Sequence, residues 1–181
     1  MSELRVYSEA DPARTLLEST DRAEIASELD AAGVGFELWP LAEGIIPGVE
    51  DTQVFEAYQA EIDALKEAGG FVIVDAISLP ANHPDRASLR QKFLAEHTHG
   101  EDEVRFFAAG RGLFSLHIED RVYEVLCEEG DLISVPANTR HWFDMGPNPA
   151  FVVLRFFQNP DGWVGHFTGS DIADRFHRLD N

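Results

Sequence analysis

Three histidines and one glutamate in this chain have the types and spacing of metal ligands. His97 and His99 stand one residue apart in EHTHGEDEVRFFAAG, residues 96–110, and Glu103 follows His99 by four. Side chains alternate faces along a strand, so His97 and His99 point the same way and Glu103 keeps their parity, with Gly100 able to bend the backbone between them. His141 comes much later, in PANTRHW, at the start of another strand after a proline-bearing turn. If these segments face each other across the lumen of an antiparallel barrel, three imidazoles and a carboxylate meet. An ionised carboxylate in apolar surroundings is costly unless paired, and a divalent cation removes that cost. Imidazole suits zinc, iron, nickel and copper, while one hard oxygen ligand shifts the balance towards iron, nickel or manganese. Four protein ligands on an octahedral ion leave two positions open for a chelating substrate. A lone His-x-His is more often exposed or merely packed; Glu103 and His141 are what favour the metal.

The elements that must position these groups follow from patterning. LRVY near the start and GFELWPL (35–41) read as extended. Between them Asp21 and Glu24 form a capping box ahead of Ile25, Leu29 and Ala32 at helical spacing. A longer helix is expected from Asp51, with Val54, Phe55, Tyr58, Ile62 and Leu65 as one apolar stripe ended by Gly69-Gly70. FVIVDAISL (71–79) is a strand, and Pro84 opens a short helix carrying Leu89, Phe93 and Leu94. After residue 96 the texture changes. VRFFAA, GLFSLHI, RVYEVLC, DLISVP, HWFDM and FVVLRFF are short β-rich runs separated by two- to five-residue turns, the signature of an antiparallel sandwich or barrel. A last helix is expected near Ser170, with Ile172, Phe176 and Leu179 inward. Residues 42–51, rich in Gly, Pro and acid, are the only linker-like stretch.

Whole-chain properties narrow the function. The 181 residues carry 33 acids against 14 bases, a formal charge of −19. That argues against nucleic-acid binding, which needs clustered Lys and Arg, and favours a monomer. No apolar run reaches membrane-spanning length, and MSELRVYSEADPAR lacks the features of a secretory signal, so a cytoplasmic address is expected. Cys127 is the single cysteine, which excludes an internal disulfide and reads as a small buried strand residue. His83, His117, His166 and His177 have no motif around them and read as surface or structural.

HTHGEDEVRFFAAG resembles the first cupin motif, His-x-His-x3-Glu-x6-Gly, and GDLISVPANTRH the second, Gly-x5-Pro-x-Asn-x2-His, with Asn138 where many cupins carry glycine. Within the cupins, HTHGEDEVRFF and SVPANTRHWFDMG are similar to the acireductone dioxygenase family, whose length and mixed N-terminal region also fit. The resemblance implies a mainly β fold, a cupin-type antiparallel barrel or jelly roll. It would form a single domain over 1–181: a mixed α/β part (1–95), a metal-binding barrel core (96–160), and a C-terminal tail with a short helix (161–181). It implies one Fe2+ or Ni2+ per chain held by His97, His99, Glu103 and His141. The implied substrates are O2 and an acireductone with a methylthioethyl tail, in methionine salvage. The iron form would yield 4-methylthio-2-oxobutanoate and formate; the nickel form 3-methylthiopropanoate, formate and CO. Arg105, two residues after Glu103, shares its strand face, and a guanidinium there can pair with an enediolate oxygen; the competing reading is a surface salt bridge. Glu96 and Asp102 have the opposite parity and read as surface acids or as acids behind the ligands, orienting an imidazole. In this family such acids are proposed to act in metal loading and in relaying local shifts. Phe93, Phe106, Trp142, Phe143 and Trp163 are candidates for an apolar wall around the thioether tail, though core packing suffices for each alone. Arg155 faces the site if register holds. The alternatives are another cupin dioxygenase or isomerase, and a metal-binding sensor barrel without turnover.

Overall fold

The computed structural model describes residues 1–160 and 164–180. Its elements run β1 Glu3–Ser8, β2 Asp11–Ser19, α1 Arg22–Ala31, β3 Gly35–Leu38, α2 Asp51–Ala57, α3 Gln59–Gly69, β4 Ile73–Leu79 and α4 Arg86–Gln91. After them come β5 His97–Thr98, β6 Glu103–Ala109, β7 Arg111–Ile118, β8 Arg121–Glu128, β9 Asp131–Val135, β10 Arg140–Asp144, β11 Phe151–Phe157, β12 His166–Phe167 and α5 Ile172–Arg175. The strands form two antiparallel sheets. One has the order β12-β5-β10-β7-β8-β1-β2 and the other β3-β9-β6-β11-β4. Strands from the first 95 residues therefore extend both sheets, and the fold is the mainly β cupin architecture expected.

Strand parity sorts side chains into layers. Phe107, Phe114, Leu116, Ile133, Val135, Phe143 and Val153 fill the space between the sheets. On the outer face of the five-stranded sheet, Phe106, Leu154 and Phe156 pack against Val54, Tyr58 and Ile62 of the helical region. Because both its faces are covered, β6 is buried at all seven positions, and charged Glu103 and Arg105 can share that strand only by facing the interior together. Cys127 is fully buried in β8.

Several expectations need correction. The helix from Asp51 breaks at Tyr58 (φ −118°, ψ 19°), where the ring turns 4.9 Å from Phe106 and its hydroxyl accepts a hydrogen bond from the Ala42 amide. Strand β2, for which the sequence carried no expectation, is a largely exposed sheet edge without alternation. Helix α4 starts only at Arg86 and stops at Gln91, leaving Phe93 and Leu94 beyond its end, and α5 is a single turn. The two histidine segments do not face each other across the lumen. They are neighbours in one sheet, with His97 opposite His141 in the β5–β10 pairing.

Candidate metal centre

Side-by-side pairing, rather than opposition, brings the imidazoles together. The His97 ring centroid lies 4.5 Å from that of His141 and 5.0 Å from that of His99. One ring nitrogen from each of His97, His99 and His141 lies within 4.8 Å of the others, and all three residues are buried. Glu103 reaches in from the opposite sheet, its Oε2 2.9 Å from His141 Nε2 and 3.1 Å from His99 Nε2. A tight connection sets the spacing of the two motifs. The Asn138 amide donates to the His99 carbonyl at 2.7 Å, and Asn138 has φ 64°. That left-handed conformation explains both the glycine usual there and the asparagine that replaces it, since Asn tolerates the region best among the other residues. Asp102 Oδ1 accepts from the Ala137 amide, so this acid braces the same turn.

The hydrogen-bonding pattern suits a cation site. His97 Nδ1–H donates to the Ala95 carbonyl at 2.8 Å, His99 Nδ1–H to Val164 at 3.0 Å and His141 Nδ1–H to Thr139 at 2.8 Å. A neutral imidazole carries one proton, so with Nδ1–H engaged each Nε2 presents a bare lone pair. Nε2 of His99 and of His141 both lie at hydrogen-bond distance from Glu103 Oε2, so a divalent cation shared among these donors would take the place of a proton there. Burial, and after it the neighbouring His141, lowers His97 to about 4, keeping it in the neutral form a ligand requires. Burial by itself would raise the Glu103 carboxyl. Arg105, with His141, overrides that and holds it well below the usual carboxylate range.

Arg105 is buried, so the surface salt bridge is not its state. Its Nε stands 2.8 Å from Glu103 Oε1, an ion pair not aligned as a hydrogen bond. The guanidinium carbon sits over the rings of Phe143, Phe114 and Phe93 at 4.6, 5.2 and 5.8 Å. Arg155 pairs with Arg105 across β6–β11, so register does turn it towards the site, where Asp75 holds it at 2.8 Å. A cavity of about 560 Å³ opens beside the imidazoles, lined by His97, His99, Phe93 and Arg155, residues named from sequence. Ile73, Asp75, Lys92, Phe157, Pro160, Gly165 and Phe167 also line it and carried no motif that would have marked them. Asp75 alone had a signal, as an acid inside an otherwise apolar strand.

Other candidates lie elsewhere. Phe106 has the wrong parity and packs outward against Trp39 and Tyr58. Trp142 likewise points away from the centre, against Phe176. Trp163 lies outside the described residues. The Glu96 carboxylate does not orient a ligand imidazole: it bonds His117 Nδ1 at 2.6 Å and accepts from Thr168 Oγ1 at 2.7 Å. His117, buried and bonded on its other side to Glu9, thereby helps fix the residue preceding His97.

Two packed antiparallel sheets enclosing a His-rich centre on the paired cupin motifs define a cupin metal-binding barrel. The ARD/ARD′ family model matches residues 3–165, and the chain belongs to that family. It is 57% identical over 181 residues, the whole of both chains, to an acireductone dioxygenase from Pseudomonas syringae pv. tomato. It is 54% identical over 178 residues, 98% of each chain, to that of Alcanivorax borkumensis. Among solved structures it resembles acireductone dioxygenase from Bacillus anthracis with a cadmium ion in its active centre. The TM-score is 0.78 at 28% identity, covering 92% of this chain and 98% of that one.

Proposed function

We propose that the protein is a metal-dependent acireductone dioxygenase of methionine salvage, using one Fe2+ or Ni2+ held by His97, His99, His141 and Glu103. The observation that carries this reading is the convergence of the three imidazoles and the Glu103 carboxylate beside a cavity that His97 and His99 line. The ion, when bound, supplies Lewis acidity and an electron route to O2. With iron the six carbons of the acireductone leave as formate and 4-methylthio-2-oxobutanoate; with nickel, as formate, carbon monoxide and 3-methylthiopropanoate.

The protein's own groups supply the rest. Backbone carbonyls fix each imidazole tautomer, and the two sheets hold the donors in place before substrate arrives. Arg105, buried and walled by three phenyl rings, has its charge screened less than it would be in water. Placed beside an enediol oxygen, it favours loss of that oxygen's proton and orients the resulting anion. Phe93 and Phe143 belong to the apolar surroundings of this anion; Phe93, with Ile73, Phe157 and Phe167, offers the cavity surface for the methylthioethyl tail. Arg155, neutralised by Asp75, forms the polar rim. Glu96 and Asp102 act behind the ligands, the first through Thr168 and His117, the second through the turn before Asn138.

We place the enzyme in the cytoplasm as a monomer. One buried cysteine suits a reducing compartment, and like charges of −19 keep copies apart. No helix among the described residues is long and apolar enough to cross a membrane. The deciding experiment is product analysis after reconstitution with iron and, separately, with nickel. Oxygen uptake with a synthetic acireductone by both forms, and carbon monoxide from the nickel form only, is the expected result. Metal binding without oxygen uptake would point to a sensor barrel instead.

A further inference from the structure

The described lining of the site cavity contains three charged side chains, Asp75, Lys92 and Arg155. Asp75 and Arg155 face each other in an ion pair and cancel. Deeper in, Arg105 is turned to Glu103. Lys92 is exposed, its Nζ 5.4 Å from the centroid of the Phe93 ring, and among the described residues no carboxylate lies within 4.0 Å of it. It is one of only two lysines in a chain of net charge −19. A molecule so acidic repels a small anion everywhere except where a local cation reverses the field, and clefts with apolar walls focus such fields. The acireductone is an acidic enediol and approaches as an anion. We propose that Lys92 is the entry cation of this site, drawing anionic acireductone into the cavity and holding its negative end near the mouth until the deeper groups take it. This rests on the functional reading above and adds a residue that determines substrate capture rather than chemistry.

The reading fixes a pattern of effects. Lys92→Gln lowers kcat/KM about fivefold at low salt, as expected for losing one charge at short range in water, and Lys92→Glu lowers it further. In both, kcat stays within about twofold, because Lys92 does not touch the reacting atoms. The wild-type kcat/KM falls as salt rises from about 20 to about 200 mM, and the variants lose most of that dependence. Lys66→Gln, which makes the same change in net charge on α3 outside the cavity lining, behaves as wild type. Lys92 variants indistinguishable from Lys66→Gln in kcat/KM and in salt dependence would overturn the inference, as would a fall confined to kcat. Calorimetric binding of 4-methylthio-2-oxobutanoate to the nickel-loaded protein at the same two salt concentrations separates this from the functional reading. Salt-dependent binding that Lys92→Gln weakens, in a protein that consumes no oxygen, leaves Lys92 standing and removes the dioxygenase.

Discussion

His97 shows how burial prepares a ligand. Enclosure, and then the facing His141, brings its imidazole down to about 4, well below its ordinary range. The unfolded chain therefore binds a proton, between about pH 6.5 and about pH 4, that the folded metal-free protein refuses. Stability of the metal-free protein should fall as pH drops through that window, by up to about 3 kcal/mol from this group, and change little above it. Glu103 has its folded value depressed, so its contribution is present above the ordinary carboxylate range and is lost only at more acid pH. Urea unfolding of chelator-treated protein at about pH 7 and about pH 4.5 measures this, and His97→Gln should show a smaller difference between them. A steeper acid loss in the variant than in wild type would contradict the assignment. Arg105 is a different case, because its charge alone is not enough. Its planar fork lies among three rings beside Glu103, and Lys cannot reproduce that shape. Arg105→Lys should retain metal by elemental analysis while oxygen uptake drops about a hundredfold, the range for removing one preorganised electrostatic group.

Backbone conformation at two element boundaries carries comparable weight. Asn138 holds φ 64° while its amide ties the second motif to His99. Asn138→Gly should leave the melting temperature nearly unchanged, whereas Asn138→Val, β-branched in that region, should cost about 1–2 kcal/mol and lower metal retention. Gly112 in β7 is a close approach instead. A Cβ there would sit 2.4 Å from Phe143 Cζ and 3.2 Å from Phe107 Cε1. Gly112→Ala should destabilise by about 1–3 kcal/mol and lower activity, since the displaced Phe143 ring stacks on Arg105. Thermal melts and oxygen uptake check both variants. What was legible at this scale was whatever strand alternation encodes. Parity gave the common direction of His97 with His99 and of Glu103 with Arg105, but not that the two pairs sit on different sheets; β-rich texture and turn residues gave the six β runs after residue 96. Alternation could not say that Phe106 and Trp142 face outward layers rather than the site, because β6 and β10 are buried on both faces and each face carries an aromatic ring. Nor could it mark β2, an exposed edge without an apolar stripe, or the break at Tyr58, imposed by a tertiary hydrogen bond to Ala42. The cavity wall was the least visible: Ile73, Lys92, Phe157 and Phe167 meet only through pairing of strands and segments far apart in the chain.

At the scale of the molecule, the proposed donor set spans the interface between the sheets. His97 and His141 lie on β5 and β10 of the seven-stranded sheet, while Glu103 opens β6 of the five-stranded one. An ion held by all of them staples the two layers across the core. Without it, that bridge between the layers is lost, so metal removal should weaken the inter-sheet contact as well as the site. Stabilisation by a ligand that binds only the folded state follows RT ln(1 + [L]/Kd), about 4 kcal/mol at a thousandfold excess over Kd. Chelation should therefore lower the melting temperature by several degrees, and adding back nickel or iron should restore it in a concentration-dependent way. Hydrogen exchange gives the spatial test. Protection lost on chelation should concentrate in β5, β6 and β10, while α1 and the β1–β8 pairing, remote from the centre, keep theirs. Uniform loss across all elements would mean that the ion acts on global stability alone, and unchanged protection in β6 would remove Glu103 from the donor set.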